Sequence, residues 1–352
     1  MNATAARLAD GVATARLGTA YRKAKVLHSA VELGLFDLLA AGTAGEERIR
    51  ERLGLHPRLS RAFLDALLAL GLLRRDGHGY RNSAVAARFL VQDAPGYLGG
   101  AIRVASQRHY EVWSHLTEAL RDGAPKAPTS GANPFRQLYE NVDAARGFLA
   151  HMDAINGFVG PGLVDCLDWS RFGSFVDVGG ARGNVAAQLV TAMPHLRGGV
   201  FELAALEPLF DEYMAQLGTT GRVTFHGGDF FVDPLPHADV LIFGHVLHDW
   251  SPQERQTLLD RAFEAVPAGG AVLVYDPMLD DGEPDLHSAL AGLNVALMTA
   301  GGSEYTVEDC RGWAGKAGFR VTGGQRLYTV GNDYVLIAEK PETDEAPKPT
   351  KP

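Results

Sequence analysis

The side chains best suited to chemistry lie in the second half of the chain, each at the end of an apolar run. FVDV (175–178) leads into Gly179, Gly180, Ala181, Arg182 and Gly183. VFEL (200–203) carries Glu202 and Leu203, and VTFH (223–226) leads into Gly227, Gly228, Asp229 and Phe230. DVLIFG (239–244) leads into His245, His248, Asp249 and Trp250. Bare glycine lets backbone approach a ligand closely, and the helix after such a turn offers free N–H groups. The dinucleotide spacing GxGxxG is not met, because Ala181 and Asn184 stand two and five places after Gly179. Asp177 would repel a pyrophosphate but suits a ligand with a cationic end. Glu202 is placed to accept from ribose hydroxyls. Asp229 is placed to accept from an adenine amine, and Phe230 to cover the ring. Each acid alone also reads as a solvated strand end, but three at the ends of three consecutive strands describe an adenosine site. His248 could do acid–base work, since an imidazole titrating near about 6.5 is largely neutral at neutral pH and can take a proton.

These residues need a sheet to bring them to one edge. Beyond Arg171, short β-branched or aromatic runs alternate with helical stretches such as SPQERQTLLDRAFEAV, the pattern of a mostly parallel sheet covered on both faces. RVTGGQRLYTV and DYVLIAEK, separated by Gly331 and Asn332, read as a hairpin, so the last strand is expected to be antiparallel at or near the edge. Upstream, residues 23–40 read as one helix with an apolar face at Leu27, Ala30, Val31, Leu35 and Leu38. Residues 46–53 read as a second helix. A third starts at Pro57, with Leu59, Phe63, Leu67 and Leu70 on one side. A hairpin around Asp76, Gly77 and Gly79 completes a winged helix. Residues 91–140 read as helical with a proline-rich break at 124–134, and 141–170 as helical again. The expected domains are therefore 1–105, a helical linker and lid at 106–165, a ligand-binding sheet at 166–340, and a disordered tail at 341–352.

Composition narrows the class. The 352 residues carry 33 Lys and Arg against 42 Asp and Glu, a net charge of −9, which argues against a dedicated nucleic-acid binder. A winged helix still allows a ligand-sensing DNA-binding protein, but the third helix is too apolar for a polar groove. Two cysteines, neither in a CxxC pair, argue against a disulfide framework or structural zinc. No apolar run approaches the about 20 residues of a membrane span, and no compact secretory signal is evident. A soluble cytoplasmic protein, with no membrane or nucleic-acid partner, is expected.

The spacing Asp-x-Gly-x-x-x-Gly from Asp177 resembles motif I of S-adenosylmethionine-dependent methyltransferases, with Ala181 where that family usually has a further glycine. GHVLHDW at 244–250, followed by a helix and VPAGGAVLVYD, then AGGSEYT at 300–306, resembles small-molecule O-methyltransferases of the caffeate, flavonoid and acetylserotonin type. The resemblance covers nearly the whole chain. It implies a class I methyltransferase sheet, a homodimer paired through the winged-helix domain, and S-adenosylmethionine as cofactor. It implies that His248 is the general base, flanked by Asp276 and Glu304. Asp177, Gly179, Gly180, Gly183, Glu202, Leu203, Asp229, Phe230 and Trp250 then fall at cofactor positions. The plant enzymes carry a lysine four residues before the base, where this chain has Gly244.

The same resemblance makes two helices the walls of an acceptor pocket, with Phe148, Met152 and Asn156 on one and Asn294, Met298 and Thr299 on the other. Read as residues alone, these are equally plain core. His245 joins the acceptor side, and His109, Tyr110 and Trp113 are candidates for an aromatic wall. His245, His248 and Asp249 could in principle form a metal set, but no other clustered ligands accompany them, so no metal is expected. Asp249 reads as a helix-start acid ahead of Ser251 and Pro252. The expected activity is methylation of a phenolic or similar hydroxyl on a small molecule of secondary metabolism, such as an antibiotic. The alternatives are C- or N-methylation, or a non-methylating use of the site. Calorimetry is expected to show binding of S-adenosylmethionine and none of NAD; the reverse would reject the reading of the glycine loop.

Overall fold

The structure, a computed structural model, describes residues 3–128, 134–280 and 282–342. The expected disordered tail therefore lies largely outside the described residues, as do residues 129–133 of the proline-rich break. The chain forms two compact units, Met1–Tyr110 and Glu111–Pro352. Among the described residues no helix is long and apolar enough to cross a membrane.

The first unit is a winged helix. The helix expected over 23–40 is two helices, Tyr21–Glu32 and Leu35–Ala40, because Gly34 takes a left-handed φ of +70° between them. Helices Glu46–Leu53 and Pro57–Ala69 follow, then the antiparallel wing of β1 (Leu73–Asp76) and β2 (Gly79–Asn82). Ala30, Val31, Leu35, Phe36, Ile49, Leu64, Leu67 and Tyr80 form its core. The helix Pro57–Ala69 is turned relative to expectation. It buries Ser60, Leu64 and Leu67, while Leu59 is exposed. The i, i+4, i+7 face that packs is set one position away from the face read in the sequence.

The second unit holds a seven-stranded sheet in the order β5-β4-β3-β6-β7-β9-β8. The strands are β3 (Ser174–Val178), β4 (Arg197–Glu202), β5 (Val223–Gly227), β6 (Val240–Gly244), β7 (Ala271–Asp276), β8 (Arg320–Arg326) and β9 (Tyr334–Glu339). Only β9 is antiparallel to its neighbours. It is the last strand, as expected, but it inserts between β7 and β8, and β8 takes the edge. The sheet is covered on both faces, so alternate residues enter opposite cores. Val240 and Ile242 of β6 pack with Phe175, Leu273 and Tyr275. Leu241 and Phe243 pack with Val176, Val178 and Val274. Burying one such side chain contributes roughly 1.5–3 kcal/mol.

Strand order reverses on the two sides of β3. The crevice beyond its carboxyl end is therefore the topological switch point where α/β sheets bind ligands. The segment after β6 makes a single 3-10 turn, Leu247–Asp249, then enters the helix Pro252–Ala265. That helix starts with a capping box. Ser251 Oγ accepts from the Glu254 N–H, and the Glu254 carboxylate accepts from the Ser251 N–H at 2.8 Å. Ser251→Ala should destabilise the second unit by about 1 kcal/mol, seen as a lower urea midpoint. An unchanged midpoint would show that the cap does not hold the turn.

Candidate functional site

Beyond β3 the chain turns through Gly179, whose φ is +72° and whose N–H donates to Phe201 O at 2.8 Å. A Cβ there would lie 2.7 Å from Val246 Cγ2, so only glycine fits. Ala181, in the place of the family's glycine, nevertheless holds a left-handed φ of +51°. That conformation carries a steric cost that glycine would avoid. Gly183, at φ +84°, caps the helix Asn184–Ala192. Asp177 lies buried beneath the loop, with its carboxyl 2.7 Å from where a Gly180 Cβ would stand. Burial pushes its carboxyl up to about 7, with the nearby Glu202 adding to the shift. Glu202 is also pushed up to about 7 by burial, although two backbone N–H groups oppose this. Its Oε1 accepts from Leu203 N at 2.8 Å and its Oε2 from Ala181 N at 3.3 Å. Two buried acids with few donors suit a ligand that brings hydroxyls or positive charge.

Asp229 accepts from Arg136 at 2.6 Å and from the Phe231 N–H at 2.9 Å. Phe230 stands edge-on to Trp250, ring centroids 5.7 Å apart, and reaches toward Gly179. The helix Val142–Asn156 covers the glycine loop: Ala145 and Leu149 pack with Ala181, Leu206 and Leu209. Arg182 of the loop pairs with Asp153 of that helix and stacks on Tyr213. Phe148 lies in an aromatic group with Phe135, Tyr139 and His151. Met152 is half-buried, and Asn156 is buried with its Oδ1 unpartnered.

His248 sits in the turn after β6, its Nδ1 2.7 Å from Glu304 Oε1 and 3.5 Å from Asp276 Oδ1. Its Nε2 lies 3.9 Å from Asp249 Oδ2, beyond hydrogen-bond reach. Tyr305 donates its hydroxyl to Asp276, leaving Asp276 Oδ1 and Glu304 Oε2 without partners. Burial alone would lower the imidazole, but Asp276, Glu304 and Asp249 together raise it well above the ordinary histidine range. The expectation of a base titrating near its ordinary value is thereby corrected. Burial in turn pushes Asp276 up to about 7 and Asp249 up to about 6, with His248 opposing both shifts. Asp249 is also corrected: Ser251 caps the helix, and Asp249 is turned into the His248 cluster.

His245 holds a left-handed φ of +53° and pairs through Nε2 with Asp333 Oδ1 at 2.9 Å. Its ring stacks beside that of His248, centroids 5.9 Å apart. Among the described residues no three His, Cys, Asp or Glu side chains are grouped to hold a metal. Gly244 is explained by its neighbour in β7. A Cβ there would stand 1.8 Å from the Tyr275 ring, so Tyr275 fills the space where the plant enzymes have lysine. On the helix Leu286–Met298, Asn294 accepts from Trp113 Nε1 at 3.0 Å. Thr299 Oγ1 donates to Val295 O and accepts from Gly302 N, and Met298 packs beside Val112 and Leu297. The polar groups of Asn294 and Thr299 are thus engaged by the protein's own framework.

Sequence reasoning missed three residues. Arg255 looks like a solvated helix charge, yet it is 1% exposed, lies between the Tyr305 and Trp313 rings, and donates to Leu247 O and Ser303 O. Tyr305 stands in the GGSEYT motif without an assigned role. Asp333 lies just before β9; the antiparallel turn of that strand, itself readable from the sequence, is the signal that would place it at this edge.

Residues 113–320 match the O-methyltransferase domain family, and residues 15–92 match the O-methyltransferase dimerisation domain. The N,N-dimethyltransferase OxyT of Streptomyces rimosus is 47% identical, over 93% of this chain and 95% of its own. The tetracenomycin polyketide synthesis 8-O-methyl transferase TcmO of Streptomyces glaucescens is 48% identical, over 93% and 96%. The crystal structure of human N-acetylserotonin methyltransferase in complex with SAM superposes with a TM-score of 0.84 at 27% identity, covering 97% of this chain and 100% of that one. The switch-point crevice and the histidine–carboxylate cluster thus stand in a chain that belongs to the O-methyltransferase family and is an S-adenosylmethionine-dependent enzyme.

Proposed function

We propose that the chain methylates a phenolic or similarly acidic hydroxyl of a small aromatic acceptor, with His248 as general base. One observation carries this: a buried imidazole is fixed at one nitrogen by Glu304 and leaves the other nitrogen for the acceptor, at the carboxyl edge that holds the glycine loop. The glycine loop with Asp177 and Glu202 supports cofactor binding there, since burial pushes both acids toward their neutral form and ribose hydroxyls and a cationic end would stabilise their charged form. S-Adenosylmethionine, when bound, supplies a methyl group carried on a sulfonium. Glu304 holds the Nδ1–H, so the Nε2 lone pair faces the acceptor hydroxyl. Nε2 takes the hydroxyl proton as the oxygen turns nucleophilic. Asp276 and Glu304 stabilise the imidazolium that results. Their raising of the imidazole also narrows the gap to a phenol, near about 10, which makes the proton transfer less uphill.

TcmO supports a polyketide-type phenol as acceptor, and with it a place in antibiotic or other secondary metabolism. The dimerisation-domain match supports a homodimer in which the winged helix pairs two copies rather than holding DNA. A second reading, methylation at nitrogen, is favoured by one fact: OxyT is an N,N-dimethyltransferase at nearly the same identity as TcmO. Labelled S-adenosylmethionine with a panel of phenols and aryl amines separates the two, the methylated atom being located by NMR. His248→Ala should lower phenol turnover by about 100-fold or more while leaving S-adenosylmethionine binding by calorimetry in place. Wild-type turnover in that variant would reject the base.

The pH dependence follows from the carboxylates. The base works when deprotonated, and its raised affinity for the proton places the acid limb of kcat/KM above the ordinary histidine range. Glu304→Gln removes one of the charges that raise it, so the limb should move to lower pH. A limb that stays in place or moves upward would show that Glu304 does not set the base.

A further inference from the structure

We propose that His245 and Asp333 form a second histidine–carboxylate pair that holds a second oxygen of the acceptor, so that the site selects aromatics with two neighbouring oxygen functions. This rests on reading His248 as the base toward a hydroxyl. His245 stands three residues before His248, just after β6, in a left-handed backbone conformation. Its Nε2 is fixed by Asp333, which is fully buried and keeps its own Oδ2 unpartnered. Tyr275 meets the ring edge-on, centroids 5.1 Å apart. The ring is therefore held on two sides and is nearly parallel to His248, at an interplanar angle of 21°.

The two imidazoles repeat one design. Each gives one nitrogen to a buried carboxylate, Glu304 for His248 and Asp333 for His245, and each leaves the other for a ligand. Burial lowers His245, but Asp333 and, behind it, Asp276 raise it overall and favour its charged form, in which Nδ1 is a donor. A hydroxyl or carbonyl oxygen beside the reacting hydroxyl would accept that hydrogen bond. Ring centroids 5.9 Å apart put the two imidazoles within the span of neighbouring oxygens on one ring system. The second pair thus sets which hydroxyl faces His248, without itself taking a proton from it.

The test uses binding, so it does not depend on turnover. Affinities of 2,3-dihydroxynaphthalene and 2-naphthol are measured by calorimetry on the full chain saturated with S-adenosylhomocysteine. The wild type should prefer the diol. His245→Asn, chosen because asparagine tolerates a left-handed backbone, should cut the diol-over-naphthol preference about tenfold. Asp333→Asn should cut it in the same direction by less. Equal affinity of the wild type for both compounds, or a variant that weakens both alike, would overturn the proposal and leave His245 a tie between β6 and β9. A wild type that prefers the diol but methylates neither oxygen would instead reject the proposed reaction and leave the second pair standing.

Discussion

The framework around His248 depends on one buried guanidinium. Arg255 lies on the helix that starts just after the His248 turn, and its Nε–H holds Leu247 O at 2.8 Å. Its terminal nitrogen reaches Ser303 O at 2.6 Å. Glu304 and Tyr305 follow directly, and Tyr305 closes on Asp276 at the end of β7. Three segments far apart in sequence are thus pinned around one imidazole. The cation is itself held between two aromatic faces, which supply part of what water would otherwise give it. Desolvation is costly for such a group, and its hydrogen bonds to carbonyls offset that cost only while the turn and the loop stay in place.

Around this framework the site carries more negative than positive charge. Asp177, Glu202, Asp249, Asp276, Glu304 and Asp333 crowd one sheet edge with two histidines among them. Burial drives several of these acids toward their neutral form, so the resting site is electrostatically strained. A cationic ligand bound there would relieve that strain and weaken the hold of His248 on its proton.

Much of this was legible because parallel strands place their carboxyl ends on one edge. Once FVDV, VFEL, VTFH and DVLIFG were read as strands, Asp177, Glu202, Asp229 and His248 had to meet there. The glycine loop was legible for a local reason, since Gly179 admits no Cβ. Long-range partners were not. Asp333 reaches His245 only because β9 runs against its neighbours. Arg255 on a helix and Asp249 before a cap look like ordinary solvated charges until tertiary packing removes the water. The family resemblance makes Asn294 and Thr299 pocket residues, but helical spacing cannot show that Asn294 Oδ1 and Thr299 Oγ1 are engaged by Trp113, Val295 and Gly302. The phase error on the helix Pro57–Ala69 has the same origin: its apolar residues outnumber those its neighbours can cover.

Carboxylates, rather than the intrinsic basicity of imidazole, set the proton affinity of His248. NMR titration of histidine-labelled protein tests this directly, with His248→Gln to assign the resonance. The imidazole should keep its proton above pH 6.5 in the free protein, and its midpoint should fall when S-adenosylmethionine is added. A midpoint at or below the ordinary histidine value in the free protein would contradict that role of the carboxylates.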